Sequence, residues 1–169
     1  MSDVGDVYNS AMVTRLTLCL GVLVCLAGCR SREVEKDLVI TDTHTGWYDV
    51  GVVNGQNKLV PSITLRLQNV SSESIARVQL NAVFRRVGEA EEWDSHFIRG
   101  IGPNGLEPGA TGGELVLRSE RGYTGSESRL QMLQNKEFVD ARVEIFGKHG
   151  SRNWVKIGDY TIDRQLLTE

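Results

Sequence analysis

The chain has 169 residues, with 19 basic and 22 acidic side chains and a formal net charge of −3 at pH 7. Charges of both signs are mixed along it, which excludes the strongly basic balance of nucleic-acid-binding domains, and we expect no nucleic-acid partner. The length suits one domain of ordinary size, large enough for its own hydrophobic core. The sequence has no low-complexity segment and no internal repeat of about 20 to 50 residues.

The N-terminal segment has the pattern of a secretion signal. Arg15 supplies a positive charge, and a 12-residue apolar run follows from Leu16 to Ala27. A membrane-spanning helix needs about 20 apolar residues, so this run fits the core of a signal peptide or a buried helix. A buried helix usually carries polar positions at helical spacing, and this run has none. We therefore predict a cleaved signal, with an uncleaved anchor or an N-terminal core helix as alternatives.

The residues that end this run, Leu26, Ala27, Gly28 and Cys29, resemble the lipobox of bacterial lipoproteins. The resemblance implies cleavage before Cys29 and a diacylglyceryl group on its thiol, usually with a third acyl chain on the new N-terminus. One acyl chain gives only marginal membrane binding, whereas two or more anchor a protein stably. The resemblance thus implies a lipid-anchored protein of the bacterial cell envelope. Arg30 stands where an Asp would signal inner-membrane retention, which favours the outer membrane, facing the periplasm.

These features divide the chain into four segments. Residues 1–11 are acidic and polar, unlike the positive start of a signal peptide, and we expect Met12 to be the true start. The expected signal peptide is 12–28, the lipidated cysteine and its charged tether are 29–37, and the folded domain is 38–169. The eight tether residues after Cys29 reach at most about 26–29 Å, so the domain would lie close to the membrane.

All three cysteines, Cys19, Cys25 and Cys29, lie within the expected signal or directly after it. Residues 30–169 therefore offer no disulfide, thiolate metal site or cysteine nucleophile. Loss of residues 1–28 removes one basic and two acidic residues, which leaves 18 and 20 in a mature chain of 141 residues. We expect an exported domain that depends on its hydrophobic core alone for stability.

Alternating apolar and polar residues dominate the rest of the chain. The alternation is clearest at 63–68, 78–84 and 139–145, and it predicts antiparallel strands with one buried face. Further strands are predicted at 38–43, 48–53, 92–99, 113–118 and 154–163. The apolar parity changes within the last of these. We therefore predict a β-bulge near Gly158 and Asp159, with a two-faced strand or a bend as the alternative.

Turn-forming residues separate these segments, as at Asn54-Gly55 and in the glycine-rich stretches 102–109 and 147–153. Only 127–134 predicts a helix, which is too short to be stable alone. Many short strands with regular turns predict an all-β fold, a sandwich of two antiparallel sheets with about seven to nine strands. The long connection at 121–137 is predicted to cross between the sheets.

One ordered set of residues is similar to a known domain type. A strand ends at Asn69 before a polar turn, a second strand ends at Phe84, and Leu106-Glu107-Pro108-Gly109 opens a later strand. In this order they resemble the immunoglobulin-like domains of bacterial surface and periplasmic proteins, including the FxLYD type. Arg85-Arg86-Val87 departs from the Leu-Tyr-Asp of that type. The resemblance implies an immunoglobulin-like sandwich with an adhesive or assembly role, and it carries over no catalytic residue.

Residues that could support catalysis or metal binding are few and scattered. The histidines His44, His96 and His149 match no helical metal pair or zinc signature, although Asp42 and His44 on one strand face could offer two ligands. The acidic cluster at 89–94 lacks the glycine-centred spacing of a calcium loop. The segment 122–126 holds hydroxyl groups but no nucleophile-elbow pattern. We expect no metal, no cofactor and no catalytic site.

Aromatic side chains are the strongest binding candidates. We predict partner-binding roles for Trp47, Trp93 and Phe146, because exposed rings often anchor protein interfaces. The alternative is a second buried layer beneath a loop or the short helix. The predicted function is a non-enzymatic envelope lipoprotein whose immunoglobulin-like domain binds a protein partner or supports an envelope assembly. Alternatives are a periplasmic module for a small ligand, sugar or metal, and a hydrolase whose loops place His96 or His149 beside an acidic residue.

Overall fold

The structure is a computed structural model and describes residues 33–167. The predicted signal, the lipobox and Cys29 lie outside the described residues. Within 33–167, no helix is both long and apolar enough to cross a bilayer. The elements of this part of the chain are α1 (Val34–Asp37), β1 (Leu38–Val53), β2 (Gln56–Asn69), β3 (Val78–Arg86), β4 (Asp94–Ile101), β5 (Leu115–Arg118), β6 (Tyr123–Gly125), α2 (Arg129–Gln134), β7 (Ala141–His149), β8 (Val155–Thr161) and β9 (Leu166–Leu167).

The strands form two sheets, which confirms the predicted all-β sandwich. The five-stranded sheet has the order β5-β2-β1-β9, with β6 also paired to β2. The four-stranded sheet has the order β4-β3-β7-β8. The short β9 runs parallel to β1, and the other pairs in this part of the chain are antiparallel.

One buried apolar cluster joins the two sheets. It includes Leu65 of β2, Phe84 of β3 and Val143 of β7, each with no exposed surface. Removal of this apolar surface from water is the main force that holds the sheets together. The buried hydrophobic residues that the structure describes lie between Val34 and Ile162. A chain that begins at residue 29 therefore contains the whole of this core.

The strand β1 is continuous, whereas the sequence predicts two strands at 38–43 and 48–53. Asp42, near the end of the first of these predicted strands, has a positive φ of 50°. The register with β2 shifts between Thr41 and His44. A bulge of this kind changes the register without ending the strand, and Asp is among the residues that tolerate a positive φ.

The last residues of the predicted tether belong to the folded domain. Residues Val34–Asp37 form one helical turn in which Val34 is buried. A Cβ built on Gly147 would lie only 2.7 Å from the Cγ1 atom of Val34. Glycine at position 147 therefore leaves room for this close approach. The packed domain therefore begins by Val34, four residues earlier than predicted.

The strand β8 contains the predicted bulge. Ile145 pairs with Gly158 and Phe146 pairs with Lys156, which leaves Ile157 without a partner in the ladder. The irregularity lies next to the predicted position and keeps Ile157 and Tyr160 packed against the core.

The predicted helix at 127–134 forms as α2. The Ser128 hydroxyl accepts a hydrogen bond from the N–H of Gln131, whose side chain accepts one from the N–H of Ser128. This capping box supplies hydrogen-bond partners for backbone N–H groups at the start of a helix that is too short to be stable alone. Met132 and Leu133 on α2 are buried. The connection that holds α2 leads from the five-stranded sheet to β7 of the other sheet, as predicted.

Candidate functional site

The outer face of the four-stranded sheet carries exposed aromatic side chains. Phe97 of β4 pairs with Asn81 of β3, Asn81 with Phe146 of β7, and Phe146 with Lys156 of β8. Directly paired residues of antiparallel strands point to the same side of a sheet. Since neighbouring Leu80 points into the core, this row of four side chains faces outward.

Phe97, in this row, and Trp154, which precedes β8, are the exposed aromatic side chains of this surface. Phe97 is 58% exposed and Trp154 is 39% exposed. Their rings meet edge to face with centroids 5.9 Å apart, a favoured arrangement for aromatic pairs. The ammonium of Lys148 lies 5.5 Å from the centroid of the Trp154 ring, within cation–π range. We call the set Phe97, Phe146, Lys148 and Trp154 the aromatic face.

A network of ion pairs borders the aromatic face. Glu144 contacts Arg85 at 3.0 Å and Lys156 at 3.2 Å, and Lys156 also contacts Asp159 at 3.2 Å. The hydrogen bond from Arg85 is the largest influence on Glu144 and lowers its pKa below the ordinary value, with Lys156 acting in the same direction against burial. Glu144 is therefore ionised at neutral pH. The network places fixed charges of both signs beside the rings.

The structure corrects the prediction that Trp47 binds a partner. Its side chain is wholly buried. The Trp47 ring lies 4.5 Å from the ring of Phe138 and 5.6 Å from that of Tyr123, between centroids. A ring enclosed in this way touches no partner, so Trp47 stabilises the fold, as the alternative of a buried layer predicted.

Trp93 lies at the edge of the same buried cluster. Its centroid is 5.3 Å from that of Tyr123 and 6.4 Å from that of Trp47, and the Arg86 guanidinium lies 5.8 Å from it. The half-buried ring thus packs mainly against the core. Of the three predicted residues, Phe146 alone lies on the aromatic face.

Phe97 and Trp154 are the residues that the sequence prediction missed. Phe97 adjoins the apolar Ile98, so alternation could not decide which of the two faces outward. Trp154 stands at the boundary between a glycine-containing turn and β8, where a period of two has no fixed phase. The pairing of β3 with β4 and β7 shows which side chains of these strands face outward.

The three histidines belong to different strands, β1, β4 and β7. Among residues 33–167, no group of three or more His, Cys, Asp or Glu side chains could hold a metal ion. The Nδ1 atom of His96 lies 2.6 Å from the carbonyl oxygen of Arg118, which joins β4 of one sheet to β5 of the other. His44 lines a polar cleft of about 260 Å³ together with Tyr160 and Asp163.

Asp94, in the acidic cluster at 89–94, forms hydrogen bonds that connect two segments of the fold. Its Oδ2 accepts hydrogen bonds from the Ser119 hydroxyl at 2.7 Å and from the N–H groups of Glu120 and Arg121 at 2.6 and 3.2 Å. Burial is the largest single influence and raises its pKa, but the hydrogen bonds together hold the pKa of Asp94 below its ordinary value of 3.8. This carboxylate joins the start of β4 to the segment after β5.

Comparisons with known proteins identify no family. No family model and no curated protein matches the chain. The solution structure of AT1g01470 from Arabidopsis thaliana is similar to it with a TM-score of 0.46 and 14% identity, over 85% of this chain and 91% of that one. A crystal structure of a protein from Archaeoglobus fulgidus has a TM-score of 0.41 and 15% identity, over 72% and 91%. Likeness this weak indicates neither a family nor a function.

Proposed function

We propose that the protein is a non-enzymatic lipoprotein of the bacterial cell envelope, anchored by lipid on Cys29, whose sandwich domain binds a protein partner through the aromatic face. The observation that carries the binding role is the exposure of Phe97 and Trp154, in mutual contact and beside Lys148. The segment Leu26-Ala27-Gly28-Cys29 supports the anchoring role.

The aromatic face has the composition of a protein interface. Isolated exposed apolar residues are common and need no explanation. Here, however, aromatic rings and a lysine share one sheet surface, bordered by the ion pairs of Arg85, Glu144 and Lys156. An apolar centre with a polar rim is typical of interfaces, where a few aromatic and cationic side chains contribute most of the affinity.

The shape of this surface favours a macromolecule over a small ligand. Small-molecule sites are concave and enclose most of the ligand. Phe97 and Phe146 instead project from β4 and β7, the two strands that flank β3, with Asn81 between them. Fixed charges at the border would orient a partner and exclude those with the wrong charge pattern.

Substitution of the lipobox cysteine tests the anchor. Cys29→Ser removes the thiol that would be acylated, so we expect the precursor to remain uncleaved, or the protein to leave the membrane fraction. Cys25→Ser is the matched control, because it changes a cysteine inside the apolar run and leaves Cys29 in place. Cleavage and acylation are read by mass spectrometry of the membrane fraction. Normal processing and membrane partition of Cys29→Ser would contradict the anchor.

Site-specific photocrosslinking in cells tests the partner-binding role. A photoreactive residue at position 97 or 154 should give an adduct of the same mass, because these side chains touch each other. Position 116 is the control, since Val116 is 42% exposed and lies on β5 of the other sheet. No adduct at 97 and 154, or the same adduct at 116, would exclude the aromatic face as the binding surface.

A further inference from the structure

A cationic cleft lies at one end of the four-stranded sheet. Its volume is about 360 Å³, and the residues that line it include Arg77, Gln79, Arg99, Gly102 and Gly150. No carboxylate is among the residues that line it. Two arginines that line one open cleft are suited to an anionic group.

Residues that line this cleft have irregular backbone geometry. Arg77 has a positive φ of 57°, which is uncommon for any residue except glycine. Its N–H donates to the carbonyl oxygen of Gly102 at 3.1 Å, and its carbonyl accepts from the N–H of Gly150 at 3.3 Å. The register of β3 with β4 also shifts between Val78 and Gln79. Unusual backbone conformations of this kind occur often at functional sites.

The two arginines of the cleft differ from most others in the domain. Among the described residues, neither Arg77 nor Arg99 has an ion pair or a side-chain hydrogen bond. Arg85 and Arg129, by contrast, each bind a carboxylate, Glu144 and Asp49 respectively. A guanidinium group binds phosphate oxygens in a two-pronged geometry, so two unpaired guanidinium groups in one cleft favour a phosphate ligand.

The cleft lies at the end of the domain where the N-terminal segment enters. Val34 packs against Gly147, three residues before Gly150 of the cleft. Lys36 and, more weakly, Arg152 lower the pKa of Glu33, so the first described residue lies near the turn that contains Gly150. The four residues from Cys29 to Glu33 span at most about 14 Å.

We propose that this cleft binds the phosphate groups of lipid headgroups in the membrane that carries the anchor. The inference rests on the proposed lipidation of Cys29, which would hold this end of the domain at the bilayer surface. Basic residues close to an anionic bilayer are attracted to it within about one Debye length. Inorganic phosphate has the same chemistry, but the anchor gives the headgroups a far higher local concentration.

Vesicle binding of an unacylated chain tests the cleft separately from the anchor. The chain from residue 29, with Cys29→Ser, holds the whole described core and has no lipid. We expect it to bind vesicles of phosphatidylcholine mixed with phosphatidylglycerol, and to bind pure phosphatidylcholine much more weakly. The double variant R77Q/R99Q should lower the partition coefficient about 10- to 30-fold, because each basic residue at an anionic surface contributes about a fivefold factor.

The matched control is R121Q/K136Q, which removes the same charge elsewhere. Arg121 lies beside Asp94, at the opposite end of β4 from the cleft. This control should keep most of the binding, and thermal unfolding should show that all variants are folded. Equal loss in the two double variants, or equal binding of R77Q/R99Q and the parent chain, would overturn the proposal. A failure of Cys29 acylation in cells leaves these vesicle results unchanged.

Inorganic phosphate distinguishes a soluble ligand from the membrane. We expect it to compete with vesicles no better than chloride at equal ionic strength, and to leave the melting temperature unchanged. A rise in melting temperature with phosphate that R77Q/R99Q abolishes, without vesicle binding by the parent chain, would replace the lipid headgroup with a free phosphate ligand.

Discussion

The side chain of Asn69 donates a 2.8 Å hydrogen bond to the carbonyl oxygen of Leu106, 37 residues later in the chain. It donates a second, also of 2.8 Å, to the carbonyl oxygen of Glu73, while its Oδ1 accepts from the N–H and the hydroxyl of Ser71. Asn69 is wholly buried. One amide group therefore holds together the turn after β2 and the Leu106-Glu107-Pro108-Gly109 turn.

Substitution of Asn69 should destabilise the domain strongly. We expect Asn69→Ala to lower the free energy of unfolding by about 2–4 kcal/mol, because it removes the two hydrogen bonds that the buried amide donates and the two that its oxygen accepts. Asn69→Asp should be at least as severe, since an oxygen then faces those carbonyls. Ser71→Ala is the control and should cost about 1 kcal/mol or less. Urea unfolding measures all three, and equal effects of Asn69→Ala and Ser71→Ala would contradict the role of the amide.

The backbone at Gly122 lies too close to β2 for any side chain. A Cβ at this position would clash with the carbonyl group of Leu59. We expect Gly122→Ala to shift the backbone, separate β6 from β2 and lower the melting temperature by several degrees, or prevent folding. Gly113→Ala is the matched control, because no atom lies within 4 Å of its added Cβ. Equal melting temperatures of the two variants would contradict the close approach.

Asp94 should make the stability depend on pH in the acid range. Because its pKa is depressed in the folded state, its ionised form stabilises the fold above about pH 3.8, and this contribution is lost as the pH falls through the lower folded value. We expect Asp94→Asn to lower the free energy of unfolding by about 1–3 kcal/mol at pH 7, through loss of hydrogen bonds to a charged acceptor.

The difference between Asp94→Asn and the parent chain should narrow as the pH falls below 3.8. Denaturant unfolding at a series of pH values measures it. Glu107→Gln, at an exposed position, is the control and should change the stability at pH 7 by less than about 0.5 kcal/mol. A difference for Asp94→Asn that stays constant from pH 7 to pH 3 would contradict the assignment.

Variants of the aromatic face should separate binding from stability. Phe97→Ser and Trp154→Ser change exposed side chains, so we expect each to alter the free energy of unfolding by about 1 kcal/mol or less. The affinity for the captured partner should fall at least about tenfold, as expected for aromatic anchors of an interface. Val116→Ser on the other sheet should leave the affinity unchanged. Titration of the purified partner measures these affinities, and wild-type affinity of both aromatic variants would exclude the surface.

The sequence predicts the strands in which apolar and polar residues alternate over many positions, because a strand with one buried face has an apolar residue at every second position. It predicts β3 and β7, and it locates the bulge of β8 next to Ile157. The strands β6 and β9 are three and two residues long, too short to show any period. The sequence divides β1 into two predicted strands, 38–43 and 48–53, because a local pattern does not reveal a bulge that pairing with β2 supports.

The candidate sites depend more strongly on contacts between distant segments. Sequence alone cannot tell that Trp47 is enclosed while Phe97 is exposed, since both are aromatic residues in strands. Arg77 and Arg99 are 22 positions apart, and only the pairing of β3 with β4 places them in one cleft. Information of this kind lies in the register of the sheets and not in the spacing of residues along the chain.

The unbroken strand β1 also has a consequence for the order of folding. It pairs with β2 from Val53 and Gln56, beside the Asn54-Gly55 turn, to Leu38 and Asn69. Partners separated by so few residues close small loops, which form much faster than contacts between distant segments. We therefore expect the β1–β2 hairpin to form, starting at its turn, before β3 pairs with β7. The four-stranded sheet would then assemble against a five-stranded sheet that has already begun to form.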